Sequence, residues 1–250
     1  MKIVLILISV LLAMNTPMHA AQLETLETFE EVRGNCHSYG CVSDAAIPVI
    51  MHKVSQLLES VDPKKIVFIF DVDGTLTDEE LPSGGLPYPR SSPMINFVRA
   101  LHSLGVTMIA SSAWDQFDHT VKKIRQLGLG DIFNAKGARL PTKEASIKGR
   151  RFEADSLGNI ISVRDTGSTS RYYRAKFVST FFVDDESAMK GAFPFSHVFF
   201  LDDSDRNVGQ FLLDFEYFFP QQTPEAPIAF AYLLTTPLIN IQARQALHKS

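Results

Sequence analysis

The sequence predicts an α/β fold built on a mainly parallel sheet, and three observations predict it. Apolar runs recur at 66–70, 106–110 (broken by Thr107) and 198–201, the pattern of strands covered on both faces. Each run ends in carboxylates or hydroxyls, so polar chemistry collects at strand ends. Between the runs lie stretches with helical spacing that stop at glycines, as crossover connections do. A length of 250 residues suits one α/β domain with modest additions, and a 45% apolar composition supplies its core. The net charge of −4 offers no basic footprint, which argues against nucleic acid as a partner.

Residues 1–20 read as a secretory signal peptide. Lys2 precedes an apolar run over 3–14 broken by Ser9, and Ala20-Ala21 supplies the small residues of a cleavage site. Twelve apolar residues fall short of the roughly 20 that span a bilayer, so no stable membrane span is expected after cleavage. The expected location is therefore periplasmic or secreted, with an uncleaved anchor as the alternative. Residues 21–62 form an N-terminal extension that contains the chain's two cysteines, Cys36 and Cys41, with His37 beside the first. In an oxidising compartment a local disulfide is the favoured reading. Zinc would need two ligands beyond the cysteines, with His37 the nearby candidate. Apolar spacing at Ile47, Ile50, Met51, Val54, Leu57 and Leu58 predicts a helix, which Asp62-Pro63 ends.

The strand at 66–70 runs into Asp71-Val72-Asp73-Gly74-Thr75. Two carboxylates at the end of a buried strand repel each other and lose hydration, so a cation, a phosphate or both belong between them. Gly74 permits a tight turn, and Thr75 is expected to tie its hydroxyl to the loop backbone. A calcium loop of the EF-hand kind is excluded, because it puts glycine sixth and a glutamate twelfth, whereas here glycine is fourth and Pro82 is twelfth. A proline- and glycine-rich loop follows over 81–93. A helix to Leu104 carries Ile95, Val98 and Leu101, and Gly105 terminates it.

The second strand ends in Ser111-Ser112, with Trp114 just beyond as a pocket-mouth or core residue. A helix over 115–127 stops at Gly128. Residues 134–180 are polar, with strand-like pieces at 160–163 and 172–178, and read as a small β-rich insertion or an irregular excursion. Their basic residues Lys148, Arg150, Arg151, Arg164, Arg171 and Arg174 form either an anion-attracting patch or a solvated face. Two later segments pair an apolar run with acids: Asp184-Asp185, and Asp202-Asp203 followed by Ser204 and Asn207. The phenylalanines 211, 215, 218 and 219 read as core.

Asp71-Val72-Asp73-Gly74-Thr75 resembles the first signature of the haloacid dehalogenase-like (HAD) superfamily, and the other segments follow in that family's order over 66–208. The resemblance implies a Rossmann-like three-layer core with a small or absent cap, 134–180 being the possible cap insertion. It also implies an Mg²⁺-dependent phosphatase acting on phosphate monoesters, similar to secreted bacterial members of acid phosphatase type. Asp71 would be the nucleophile that forms an aspartyl-phosphate, and Asp73 the general acid and base whose main-chain carbonyl also helps hold the metal. Ser111, or else Ser112, would hydrogen-bond the phosphoryl group. Asp202 and Asp203 would complete the metal shell, Asp203 the more direct ligand, with Asp184 and Asp185 as the alternative pair. Lys190 is the favoured phosphate-neutralising lysine, ahead of Lys176 and Lys148. The rival expectations are a secreted non-catalytic module that binds envelope or host partners, and a phosphotransferase. The size of the phosphorylated substrate and the oligomeric state stay open.

Overall fold

The computed structural model describes residues 22–24, 39–77, 92–112, 117–140, 142–147, 150–165, 193–219 and 226–234. Its strands are β1 (Gln22–Glu24), β2 (Ile66–Asp71), β3 (Thr107–Ser112), β4 (Lys143–Ile147), β5 (Arg150–Leu157), β6 (Ile160–Asp165), β7 (His197–Asp202) and β8 (Ile228–Leu233). The helices are α1 (Tyr39–Leu58), α2 (Ser92–Ser103), α3 (Phe117–Gln126) and α4 (Asp205–Phe218). The strands form one eight-stranded sheet in the order β1-β8-β7-β2-β3-β6-β5-β4. The six strands from β1 to β6 in that order pair in parallel, while β5 and β4 run antiparallel at the far edge.

Successive side chains of a strand point to opposite faces, and β2 shows what that does to the core. Phe68 and Phe70 enter the apolar layer that includes Ile50 and Val54 of α1, Val98 and Leu101 of α2, and Val121 and Ile124 of α3. Val67 and Ile69 enter the opposite layer with Val208, Phe211, Phe215 and Phe218 of α4. The sheet is thus the middle of three layers, and a strand with both faces covered must be apolar throughout. Aromatic stacking fills both sides: Phe68 lies 4.4 Å from Phe199, and Phe200 lies 4.4 Å from Phe211, centroid to centroid. The phenylalanine-rich tail is core, as its sequence suggests.

Two elements depart from the sequence reading. Helix α1 begins at Tyr39 rather than Ile47 and carries Pro48 in its interior. Burial of Ala46 and Ile50 on either side of the proline gives the tertiary reason to hold that turn helical despite the lost hydrogen bond. Cys41 consequently lies in a helix rather than a loop, while Cys36 falls outside the described residues, as do 1–20. The described parts of 134–180 add β4, β5 and β6 to the main sheet, so these strands extend the core layer. The segment 172–178 lies outside the described residues.

The chain moves from β2 to β3 and on to β6 in one direction, then returns to β7 on the other side of β2 and continues to β8. The order therefore reverses between β2 and β7. In open α/β sheets ligands bind outside the carboxyl ends of the strands at such a reversal. Among the described residues no helix is long and apolar enough to cross a membrane.

Candidate metal and phosphate centre

Asp71 ends β2 and Asp202 ends β7, which puts both at the carboxyl-terminal edge beside the reversal. Asp203 follows on the next residue. One carboxylate oxygen from each of Asp71, Asp202 and Asp203 lies within 4.8 Å of the others. Asp71 and Asp202 are buried and Asp203 is partly buried. Three anions this close repel strongly in a poorly hydrated site, and a divalent cation is the simplest neutraliser. The donors are all oxygen, which suits a hard cation such as Mg²⁺ or Ca²⁺.

Asp202 is anchored by the turn that follows it. Its Oδ1 accepts from the Ser204 backbone N–H at 2.9 Å, and the Asn207 amide donates to both carboxylate oxygens at 2.9 and 3.0 Å. Ser204 caps α4 and accepts from the Asn207 N–H at 3.4 Å, so one tight turn builds both the helix start and the carboxylate's orientation. Asp203 lies opposite a position that carries no side chain. Gly74 has φ +74°, and a Cβ added there would lie 2.2 Å from Asp203 Oδ2. Glycine at this position thus serves two ends, a left-handed backbone and room for a carboxylate.

The loop after β2 is tied by the Val72 carbonyl, which accepts from the N–H groups of Leu76 and Thr77 at 3.0 and 2.9 Å. The Thr77 hydroxyl donates to the same carbonyl at 3.1 Å. This corrects the expectation for Thr75: Thr77 makes the tie, and the buried Thr75 Oγ1 has no hydrogen-bond partner among the described residues.

Ser111 pairs in register with Asp71 across β2 and β3. Its Oγ is buried and likewise has no partner among the described residues. A hydroxyl left unsatisfied in a dry site costs free energy, about 1–3 kcal/mol, and native structures keep such groups where a ligand or water supplies the partner. Ser112 is also buried, but it makes a polar contact. Ser111 and Thr75 thus both carry a buried hydroxyl with unused bonding capacity, and Ser111 is the one in register with Asp71.

Sequence reasoning missed Lys123. This residue on α3 forms an ion pair with Asp73 Oδ1, and its side chain is 4% exposed against 25% for that of Asp73. A buried ammonium is costly unless it is paired and hydrogen-bonded, so the helix would not place it there without the carboxylate. A signal was available, because Lys123 stands three residues after the buried Thr120 of α3 and four before the buried Leu127 just past its end. A lysine within an apolar stripe is a candidate for pairing rather than for solvent. Lys190, Lys176, Lys148, Asp184, Asp185 and Trp114 all lie outside the described residues. Of the basic cluster, Arg150 and Arg151 fall on β5 and Arg164 on β6, while Arg171 and Arg174 are outside the described residues.

No family model, curated protein or solved structure matches this chain.

Proposed function

We propose that this protein is an Mg²⁺-dependent phosphatase of the HAD type that hydrolyses phosphate monoesters through an aspartyl-phosphate. The observation that carries the reading is the convergence of Asp71, Asp202 and Asp203 on one point, next to a buried Ser111 hydroxyl that lacks a protein partner. Acids alone would suit any hard cation. Acids together with a waiting donor suit a cation and an oxyanion, and a phosphoryl group supplies the second.

In the proposed reaction an Asp71 carboxylate oxygen attacks phosphorus and forms a P–O bond as the ester P–O bond breaks. Asp73 gives a proton to the departing oxygen, then takes one from the water that attacks the aspartyl-phosphate. That second attack breaks the phosphorus bond to Asp71 and releases inorganic phosphate. Ser111 donates to a phosphoryl oxygen and holds the group in line. Asp71, Asp203, the anchored Asp202 and the Asp73 carbonyl would hold Mg²⁺, which when bound neutralises charge on the phosphoryl oxygens. Positioning and charge neutralisation of this kind supply most of the catalysis in phosphoryl transfer. Residues 1–20 we take as a leader that sends the protein to the periplasm or outside.

The test is hydrolysis of 4-nitrophenyl phosphate by the chain from Ala21, with and without Mg²⁺, beside Asp71→Asn. Mg²⁺-dependent turnover that Asp71→Asn abolishes is the expected result. Turnover that survives in Asp71→Asn would sink the mechanism. Absence of turnover in the wild type between pH ~5 and 8, where histidines and the upper carboxylates titrate, would favour a non-catalytic binding module.

A further inference from the structure

Among the described residues, the hydrogen bonds to the Asp73 carboxylate fall on Oδ1. Oδ1 accepts from the Lys123 ammonium, and the Thr77 hydroxyl, whose proton is shared with the Val72 carbonyl at 3.1 Å, lies 3.5 Å from the same oxygen. Lys123 is held by the buried face of α3, so it meets Asp73 from a fixed element rather than from a sampling surface side chain. Resting on the phosphatase reading above, we propose that Lys123 is a positioning residue for proton transfer. By occupying Oδ1 it leaves Oδ2 as the oxygen that exchanges protons with the leaving group and with water. In the first step the proton leaves Oδ2 for the ester oxygen as the P–O bond breaks. In the second, Oδ2 takes a proton from the attacking water. Lys123 loses no proton in either step and makes no covalent bond.

This role differs from that of a lysine that neutralises the phosphate itself, because it acts only through Asp73. Loss of a correctly aimed acid matters most when the leaving oxygen is a poor leaving group. The experiment compares kcat/KM of wild type, Lys123→Met, Asp73→Asn and the double variant on 4-nitrophenyl phosphate and on an alkyl phosphate. The expected result for Lys123→Met is a loss of roughly a hundredfold on the alkyl ester, within the range of general acid catalysis, and of about threefold or less on the nitrophenyl ester. In the Asp73→Asn background, adding Lys123→Met should cost nothing further on either ester. Lys123→Arg, which keeps a cation, should recover part of the alkyl activity.

Equal losses on both esters would overturn the proposal, since a distorted site or a lost phosphate contact is indifferent to the leaving group. A further loss in the Asp73→Asn background would overturn it too, by showing that Lys123 acts on the phosphate directly. If Lys123→Met does not fold, Lys123→Arg, which keeps a cation opposite Asp73, still decides: a loss larger on the alkyl ester than on the nitrophenyl ester supports the proposal, and equal losses on both overturn it. A wild type without turnover on either ester overturns the phosphatase reading and this proposal with it. A wild type that turns over, with variants that fail these tests, overturns this proposal alone.

Discussion

Replacing Gly74 with alanine perturbs two things that can be measured apart. Gly74 has φ +74°, and an L-residue there costs about 1–2 kcal/mol in backbone strain. For a chain of this size that is a fall in Tm of roughly 2–8 °C. The new Cβ would also lie 2.2 Å from Asp203 Oδ2 and 2.5 Å from its Cγ, so the carboxylate must retreat to an ordinary contact of 3.4 Å or more. A shift of about 1 Å is several times the ~0.2 Å that metal–ligand distances tolerate. Gly137 is the control. It has φ +92° with nothing within 4 Å of its added Cβ, so Gly137→Ala carries the strain without the collision. The assay is thermal unfolding of each variant over an Mg²⁺ titration. At a hundred times Kd the ion adds ~2.7 kcal/mol to the wild type, or roughly 5–11 °C. If Asp203 is displaced and affinity falls a hundredfold, the same Mg²⁺ adds only ~0.4 kcal/mol, or about 1–2 °C. Gly137→Ala should keep the full increment. An undiminished Mg²⁺ increment in Gly74→Ala would refute the idea that Gly74 makes room for a metal-binding Asp203.

Three further outcomes follow from the same geometry. Asp71→Asn removes one of three crowded anions, so without metal its Tm should equal or exceed that of the wild type; a fall worth more than ~1 kcal/mol would contradict the repulsion argued for this cluster. Asn207→Ala takes two hydrogen bonds from the buried Asp202 carboxylate and should destabilise the fold by roughly 2–3 kcal/mol in urea unfolding, with a loss under ~0.5 kcal/mol counting against that anchor. His197, whose Nδ1 lies 2.9 Å from Ser196 Oγ, is buried against Phe230, and burial lowers its pKa below the ordinary value. The unfolded chain then binds the proton more readily, so this stability is present above about pH 6.5 and lost as pH falls through the lowered folded value. His197→Gln should flatten that part of the pH profile, and an unchanged profile would remove His197 as its source.

The strands were readable because a segment buried on both faces has no freedom in residue type. Phe68, Phe70, Val67 and Ile69 enter opposite layers, and each layer demands an apolar side chain. The ends of those strands were readable for the opposite reason, since carboxylates at Asp71 and Asp202 are too costly there to be packing choices. Helix α1 was read short because the apolar spacing that marks it begins at Ile47, whereas the chain is already helical from Tyr39.

What the sequence by itself determined is the set of apolar strands, their polar ends and the presence of paired acids, all properties of short windows governed by burial. Tertiary structure alone decided which acids meet, because Asp71 and Asp202 are joined by the β2–β7 pairing across more than a hundred residues of chain. It alone brought Lys123 to Asp73 from a helix whose two adjacent lysines look alike in sequence. It alone showed that Gly74 is opposite a carboxylate and that Thr77, not Thr75, closes the loop. The physical reason is common to all of these. Desolvation is local and marks a residue as costly, whereas the partner that offsets the cost is chosen by sheet order and helix packing.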